Sequence, residues 1–415
     1  MHAFLRRVAP FWKPHPGQRA FLLARAKTRV LACGRRWGKT EACAAEIVHA
    51  LGKATASRHI LVAPTLEQAR ILFDRVVAFL DRMYAANLQL WEAQPKIRLS
   101  PHPRIELAGH EVVARSGHRA RSLRGHEASH VIVDEAAFVD KGLIEDTLWP
   151  MLATRDGEMT LISTPNGRNA FWRFFQLGVR GQHGVWSRRA PTSENPRVPP
   201  AFLNAQRELQ SERTYAIEYE AEFLDLEGAL FKEHAIAACL GADWEASNGP
   251  WFVGVDFARD SDFTVVAVVS GNQYRATLVQ MERFNLIGWD QQIAKIRSIV
   301  EQYPNAHVLA DATAIGGDML TQALCEALRR HRVEAFVFDQ KSKARLCDRL
   351  VALAEHRRLK IPPDPVLLRE MQAFRWRNGK LTGDPEHDDT VIALALATYN
   401  LPHGGGSQIL MGQRR

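Results

Sequence analysis

Through the first half of the chain, short runs of aliphatic and β-branched residues alternate with longer stretches of helical periodicity. Thr28-Arg29-Val30-Leu31-Ala32, His59-Ile60-Leu61-Val62-Ala63, His130-Val131-Ile132-Val133 and Met159-Thr160-Leu161-Ile162-Ser163 are almost continuously apolar. Strands covered on both faces read this way, and the helical stretches between them predict βαβ units and a parallel sheet. The second half opens differently. Trp251-Phe252-Val253-Gly254-Val255-Asp256 and Thr264-Val265-Val266-Ala267-Val268-Val269 flank a polar turn, which predicts an antiparallel hairpin at the start of a mixed sheet.

The 415 residues are enough for two or three domains, and 46% hydrophobic with 24% charged residues sets aside disorder and fibrous classes. No apolar run approaches the ~18 residues of a membrane helix. Lys13, Pro14 and Pro16 interrupt the start before a signal-peptide core forms. A cytoplasmic protein is expected. Five cysteines, odd in number and without a CxxC pair, support neither a disulfide framework nor a zinc ribbon.

Charge divides the chain. Residues 1–200 carry 30 basic and 17 acidic residues, 201–250 carry 3 and 10, and 251–415 carry 21 and 19, so the overall +8 is a balance of +13, −7 and +2. The acidic stretch Glu218-Tyr219-Glu220-Ala221-Glu222-Phe223-Leu224-Asp225-Leu226-Glu227 reads as a polar helix ending at Gly228 and as a connector. The expected organisation is a first domain over 1–205, a lid or linker over 206–248, a second domain over 249–402 and a short tail over 403–415.

Cys33-Gly34-Arg35-Arg36-Trp37-Gly38-Lys39-Thr40 follows the first strand and precedes a helical pattern over 42–51. That is the setting of a phosphate-binding loop, in which backbone N–H groups cradle phosphates, Lys39 reaches the β and γ oxygens, and the Thr40 hydroxyl ligates Mg²⁺. Cys33 stands where the first glycine belongs. The strand ending Val133-Asp134-Glu135 delivers one carboxylate for Mg²⁺ and another to orient or deprotonate a water. Gln18, upstream of the loop, occupies an adenine reader's position, and Ser163-Thr164-Pro165-Asn166 closes a strand with groups able to sense a γ-phosphate. Arg115, Arg119, Arg121 and Arg124 offer an arginine finger or contacts to a phosphodiester backbone. The HExxH string His126-Glu127-Ala128-Ser129-His130 runs straight into a strand, so it does not present two imidazoles on one helix face.

In the second half, Asp256 and Asp311 each end an apolar strand, and Asp388 and Asp389 open a helix over 390–397. Acidic groups so ordered suit a pair of divalent metals that activate water for phosphodiester hydrolysis. Asp260 and Asp262 in the hairpin turn are weaker candidates for supporting that shell. Lys341, Lys343, Arg345, Arg349 and Arg375-Trp376-Arg377 could hold a DNA backbone nearby.

Taken together, these motifs resemble the large terminase subunit of tailed bacteriophages over about residues 14–400. The resemblance implies an α/β chain: an additional-strand, RecA-like P-loop ATPase domain, then an RNase H-like α/β nuclease domain. It implies a motor that drives double-stranded DNA into a procapsid and a nuclease that cuts the concatemer. Gln18 becomes the adenine contact, Gly34, Arg35, Arg36, Trp37, Gly38, Lys39 and Thr40 the phosphate loop, Asp134 and Glu135 the Mg²⁺ and catalytic carboxylates, and Ser163 with Thr164 the coupling motif. Asp256, Asp311 and Asp389, with Asp388 beside it, become the nuclease metal ligands. The implied cofactors are ATP with Mg²⁺, and two Mg²⁺ or Mn²⁺ for cleavage. The implied partners are the portal protein and the small terminase subunit, with a subunit ring on the portal and the free chain's state left open. The setting is the bacterial cytoplasm, outside the mature virion and away from membranes. Two alternatives compete: a helicase-like repair ATPase-nuclease, and a motor whose RNase H-like domain only binds DNA.

Overall fold

The computed structural model describes residues 1–88, 92–118, 125–225, 227–241, 250–257, 263–313, 317–377, 380–383 and 387–402. Two compact units emerge, one of Met1–Ala205 with Tyr215–Asp225, the other of Gln206–Thr214 with the described residues from 227 onward.

The first unit is built on eight strands: β1 (Thr28–Cys33), β2 (Arg58–Ala63), β3 (Lys96–Arg98), β4 (Arg104–Leu107), β5 (His110–Ser116), β6 (His130–Asp134), β7 (Glu158–Ser163) and β8 (Val185–Ala190). Their order is β3-β4-β5-β2-β6-β7-β1-β8. All pairings from β5 to β8 are parallel, while β3, β4 and β5 form an antiparallel edge. The apolar runs of the sequence are the central strands, and two hydrophobic clusters cover the opposite faces of the sheet. β7 stands between β1, which leads into the glycine loop, and β6, which ends in Asp134. This is the additional strand that the resemblance implies.

At the opposite strand ends lies a buried polar belt. Arg29 pairs with Glu46, lies 3.8 Å from Glu158, and donates to Thr160 Oγ1 at 2.9 Å. His130 Nε2 meets the same hydroxyl at 2.9 Å. Glu46, His130 and Glu158 are close enough to hold a metal, but both carboxylates are already paired with the Arg29 guanidinium. His130 is a buried β6 residue and His126 is exposed just before it, so the HExxH string forms no metal site.

The second unit contains β9 (Gly228–Ala229), β10 (Trp251–Asp256), β11 (Thr264–Asn272), β12 (Arg275–Phe284), β13 (His307–Asp311), β14 (Arg332–Phe336), β15 (Leu359–Lys360), β16 (Arg375–Arg377) and β17 (Lys380–Thr382). A six-stranded mixed sheet has the order β14-β13-β10-β11-β12-β15, with the antiparallel β10–β11–β12 meander at its centre. The helix Asp389–Tyr399 is buried on nearly every side and packs on β10 and β11. Gly254 permits that approach, because a Cβ there would lie 2.0 Å from Ala393 O and 2.4 Å from Ala397 N.

One expectation is corrected. Over its described residues the acidic stretch is not a helix: the helix Glu212–Glu218 ends where it begins, and residues 219–225 run without regular structure. Their carboxylates are spent on arginines of the basic first unit. Glu218 pairs with Arg35, Glu222 with Arg189 at 2.8 Å, and Asp225 with Arg168 at 2.6 Å. Upstream, Ser211 and Thr214 bond to Asp348 within the second unit.

Candidate functional site

The glycine loop joins β1 to the helix Lys39–Leu51, and four consecutive carbonyls of that loop are each tied by a different side chain. Thr192 Oγ1 donates to Arg35 O at 2.7 Å, and Asn195 Nδ2 donates to Arg36 O at 2.6 Å. His15 Nε2 meets Trp37 O at 2.9 Å, and Gln18 Nε2 donates to Gly38 O at 2.9 Å. Carbonyls held this way cannot turn toward an incoming phosphate, which leaves the concave side to N–H groups and the helix N-terminus. Gly34 fits because a Cβ would meet Thr192 Oγ1 at 2.3 Å and Tyr219 O at 2.5 Å, and Gly38 adopts φ +97°. These features fit a nucleotide phosphate chain.

Three residues in and before the loop make contacts that support it. The Gln18 amide is engaged by Gly38 and by the His15 N–H, so its side chain positions the loop. The Trp37 indole is fully buried, donates to Glu194 at 2.9 Å and packs edge-on against His15; it anchors the loop from behind. Cys33 is fully buried, and burial pushes its thiol up to about 12, which leaves a neutral spacer.

Lys39 Nζ lies 2.8 Å from Glu135 Oε1, and Thr40 Oγ1 donates to Asp134 Oδ2 at 3.4 Å. Burial opposes the Lys39 ammonium, but the carboxylates around it hold its pKa above the ordinary value. Asp134 is pushed up to about 6 by burial, with Lys39 working the other way. A divalent ion at Thr40 and Asp134 suits this donor set. Glu135 sits at φ 52° and accepts from Ser163 Oγ at 3.3 Å. Thr164, next along the chain from Ser163, is buried. Arg36 also has a left-handed φ of 64°, and Arg35 pairs with Glu218. Of the arginine-finger candidates, Arg115 is half-buried and donates to its neighbour's carbonyl at Ala114; Arg119, Arg121 and Arg124 lie outside the described residues.

In the second unit the ends of β10 and β13 and the start of the helix Asp389–Tyr399 bring Asp256, Asp311, Asp388 and Asp389 together. Asp256 is held well above the usual carboxylate range by burial and by the charges of Asp311, Asp389 and Asp388. Four converging carboxylates repel one another unless cations lie among them, and this donor set suits hard divalent ions. Lys343 supplies one built-in cation at 2.8 Å from Asp388 Oδ2. It belongs to the acidic cluster rather than to a solvated face, whereas Lys341 and Arg345 are exposed. Arg349 donates to Tyr399 O and lies over the Tyr399 ring. Glu370, which sequence reasoning missed, accepts the Thr390 N–H at 2.9 Å and so anchors the helix carrying Asp389. Asp260 and Asp262 lie outside the described residues. Gly254→Ala is expected to push that helix off β10, at a cost of roughly 1–3 kcal/mol. DNA cleavage should fall at least about tenfold in consequence; cleavage rates and urea unfolding of the variant check this.

Comparison with known proteins covers both units. Residues 30–238 match a family model described as the terminase large subunit N-terminal domain, T4-like-virus type, and residues 253–401 match the terminase RNase H-like domain. A terminase large subunit of Thermus virus P23-45 is 30% identical over 97% of this chain and 91% of its own length, and that of Thermus phage G20c is 29% identical with the same coverage. The large terminase of a thermophilic bacteriophage, at 11% identity, shares the fold with a TM-score of 0.64 over 93% of this chain and 98% of its own. Neither the repair-helicase nor the binding-only alternative is favoured. With a phosphate loop and paired carboxylates in one unit and a carboxylate cluster on an RNase H-like sheet in the other, the chain belongs to the terminase large subunits, and it is a phage DNA-packaging ATPase with its own nuclease.

Proposed function

We propose that the first unit binds ATP with Lys39 on the terminal phosphates, the amides of residues 34–40 around them, and Mg²⁺ held by Thr40 and Asp134. Glu135 orients and deprotonates the attacking water, and Ser163, through its hydrogen bond to Glu135, links that carboxylate to the γ-phosphate position beside Thr164. Gln18, whose amide holds the Gly38 carbonyl out of the cradle, also contacts the adenine, Trp37 anchors the loop, and Arg36 and Arg35 lie on its rim. The observation that carries this reading is that Lys39 and Thr40 each meet one of the two consecutive carboxylates.

In the second unit Asp256, Asp311 and Asp389, with Asp388 beside it and oriented by Lys343, hold two Mg²⁺ or Mn²⁺. The metals, when bound, activate water and stabilise the leaving oxygen. The carboxylates position that chemistry, and Glu370 keeps Asp389 aimed at it. The substrate is concatemeric double-stranded DNA driven into a procapsid, with the portal protein and small terminase subunit as partners. Assembly as a ring on the portal, in the host cytoplasm and not in the mature virion, completes the proposal. Long DNA incubated with Mg²⁺, Mn²⁺ or EDTA tests it: cleavage is expected with either metal and none with EDTA. Equal cutting in EDTA would remove the metal role of the carboxylates.

A further inference from the structure

Asp256, Val265 and Arg283 are successive cross-strand partners on β10, β11 and β12. Paired residues share a face of a sheet, so Arg283 projects on the same face as Asp256, two strand spacings or ~10 Å along it. Asp311, at the end of neighbouring β13, extends the row on the other side. The Arg283 guanidinium carbon lies 3.5 Å over the Phe263 ring. Phe263 in turn meets His387 edge-on, with centroids 5.6 Å apart, and His387 Nδ1 lies 3.7 Å from Asp389 Oδ2. A chain of three touching side chains therefore runs from Arg283 to a nuclease carboxylate.

Arginines at such places are normally neutralised by a carboxylate, and among the described residues none lies within ion-pairing distance of Arg283. Stacking holds the guanidinium plane without using its in-plane donors. Nε is buried without a partner, which leaves the paired Nη donors to meet a phosphate's two oxygens. The cluster beside it handles phosphodiesters, whose neighbouring linkages are anions of the same kind.

We propose that Arg283, held flat by Phe263, is a positioning residue that binds a DNA backbone phosphate beside the one being cut and so sets the scissile linkage against the carboxylates. It does not touch the reacting atoms. Arg283 contributes one phosphate contact and the register of the strand, and Phe263 contributes the orientation. The proposal rests on the carboxylate cluster being the cutting site.

The test uses the full chain and a short DNA duplex, with binding read by fluorescence anisotropy in EDTA across a salt series and cleavage read with Mn²⁺. Arg283→Gln should weaken binding about tenfold and reduce the slope of log K against log salt by about one, the loss of one phosphate contact. KM should rise about tenfold with kcat changed less than about threefold, and ATP hydrolysis should be unchanged. Arg283→Lys, which keeps the charge but not the fork, should restore the salt slope but only part of the KM. Phe263→Leu should raise KM and leave the salt slope as it is. Wild-type binding, slope and KM in Arg283→Gln would overturn the proposal, as would a fall in kcat alone. Asp256→Asn, assayed alongside, should bind DNA but not cut it; if it cuts, the cluster reading has failed rather than the Arg283 assignment.

Discussion

Asp256→Ala should lower DNA cleavage by at least about a thousandfold, roughly 4 kcal/mol of lost transition-state stabilisation, while ATP hydrolysis by the same protein stays within about twofold. Asp256 ends β10 at the centre of the second unit's sheet, so its carboxylate faces both the neighbouring strand's Asp311 and the helix-borne Asp389. The ATPase residues belong to the other unit's sheet and are untouched. A folding defect can be separated from a catalytic one by the sign of the stability change. Burial and three acidic neighbours raise the Asp256 pKa in the folded chain. A raised carboxylate pKa favours the folded state at low pH; that advantage is full below the unfolded value of about 3.9, declines above it, and is gone once pH passes the higher folded value. At neutral pH without metal, Asp256 therefore opposes folding, and its removal should raise the metal-free melting temperature. A variant that melts earlier and cuts slowly would point to misfolding instead, and wild-type cleavage would end the metal-ligand assignment.

Glu135→Gln should bind ATP at least as tightly as the parent chain and hydrolyse it about 10²–10⁴-fold more slowly. The amide has nearly the shape of the carboxylate and can still accept from Ser163, but it cannot take a proton from water. Lys39 supplies the second half of the argument. Its ammonium pairs with Glu135 at 2.8 Å in the structure, a pairing that competes with phosphate. A neutral glutamine competes less, so nucleotide affinity should hold or increase as turnover falls. Equilibrium binding of a fluorescent ATP analogue and single-turnover hydrolysis measure the two effects separately, and normal turnover would take the general-base role from Glu135.

The central strands of both sheets are legible because they are covered on both faces, so β1, β2, β6, β7 and β10 are apolar runs in the sequence itself. β8 is not, since Val185-Trp186-Ser187-Arg188-Arg189-Ala190 lies at a sheet edge and carries polar residues half open to water. Carboxylates at strand ends can be placed by the strands that deliver them. The side chains that shape the phosphate loop cannot. Thr192 and Asn195 lie more than 150 positions from the carbonyls they hold, and nothing in their local sequence marks a long-range bond. Lys343 shows the same gap from the charge side. A lysine on an amphipathic helix reads as solvated until the fold places it against Asp388. The stretch after Glu218 misleads because a run of acidic residues has fair helix propensity, whereas it turns through Ala221 at a left-handed φ of 56° and is held by ion pairs to Arg189 and Arg168.

The left-handed φ of Glu135 also bears on how the motor can diverge. A β-carbon in that region costs about 1–3 kcal/mol unless its surroundings repay it. Asparagine, aspartate and glycine tolerate the conformation, but none of them reaches as far as glutamate toward Ser163 and Lys39. Replacements that keep the reach strain the backbone, and those that relax the backbone lose the reach. Almost any change at position 135 therefore gives up one or the other. In a saturation library selected only for folding it should drift toward glycine and asparagine, and in one selected for packaging it should hardly drift at all.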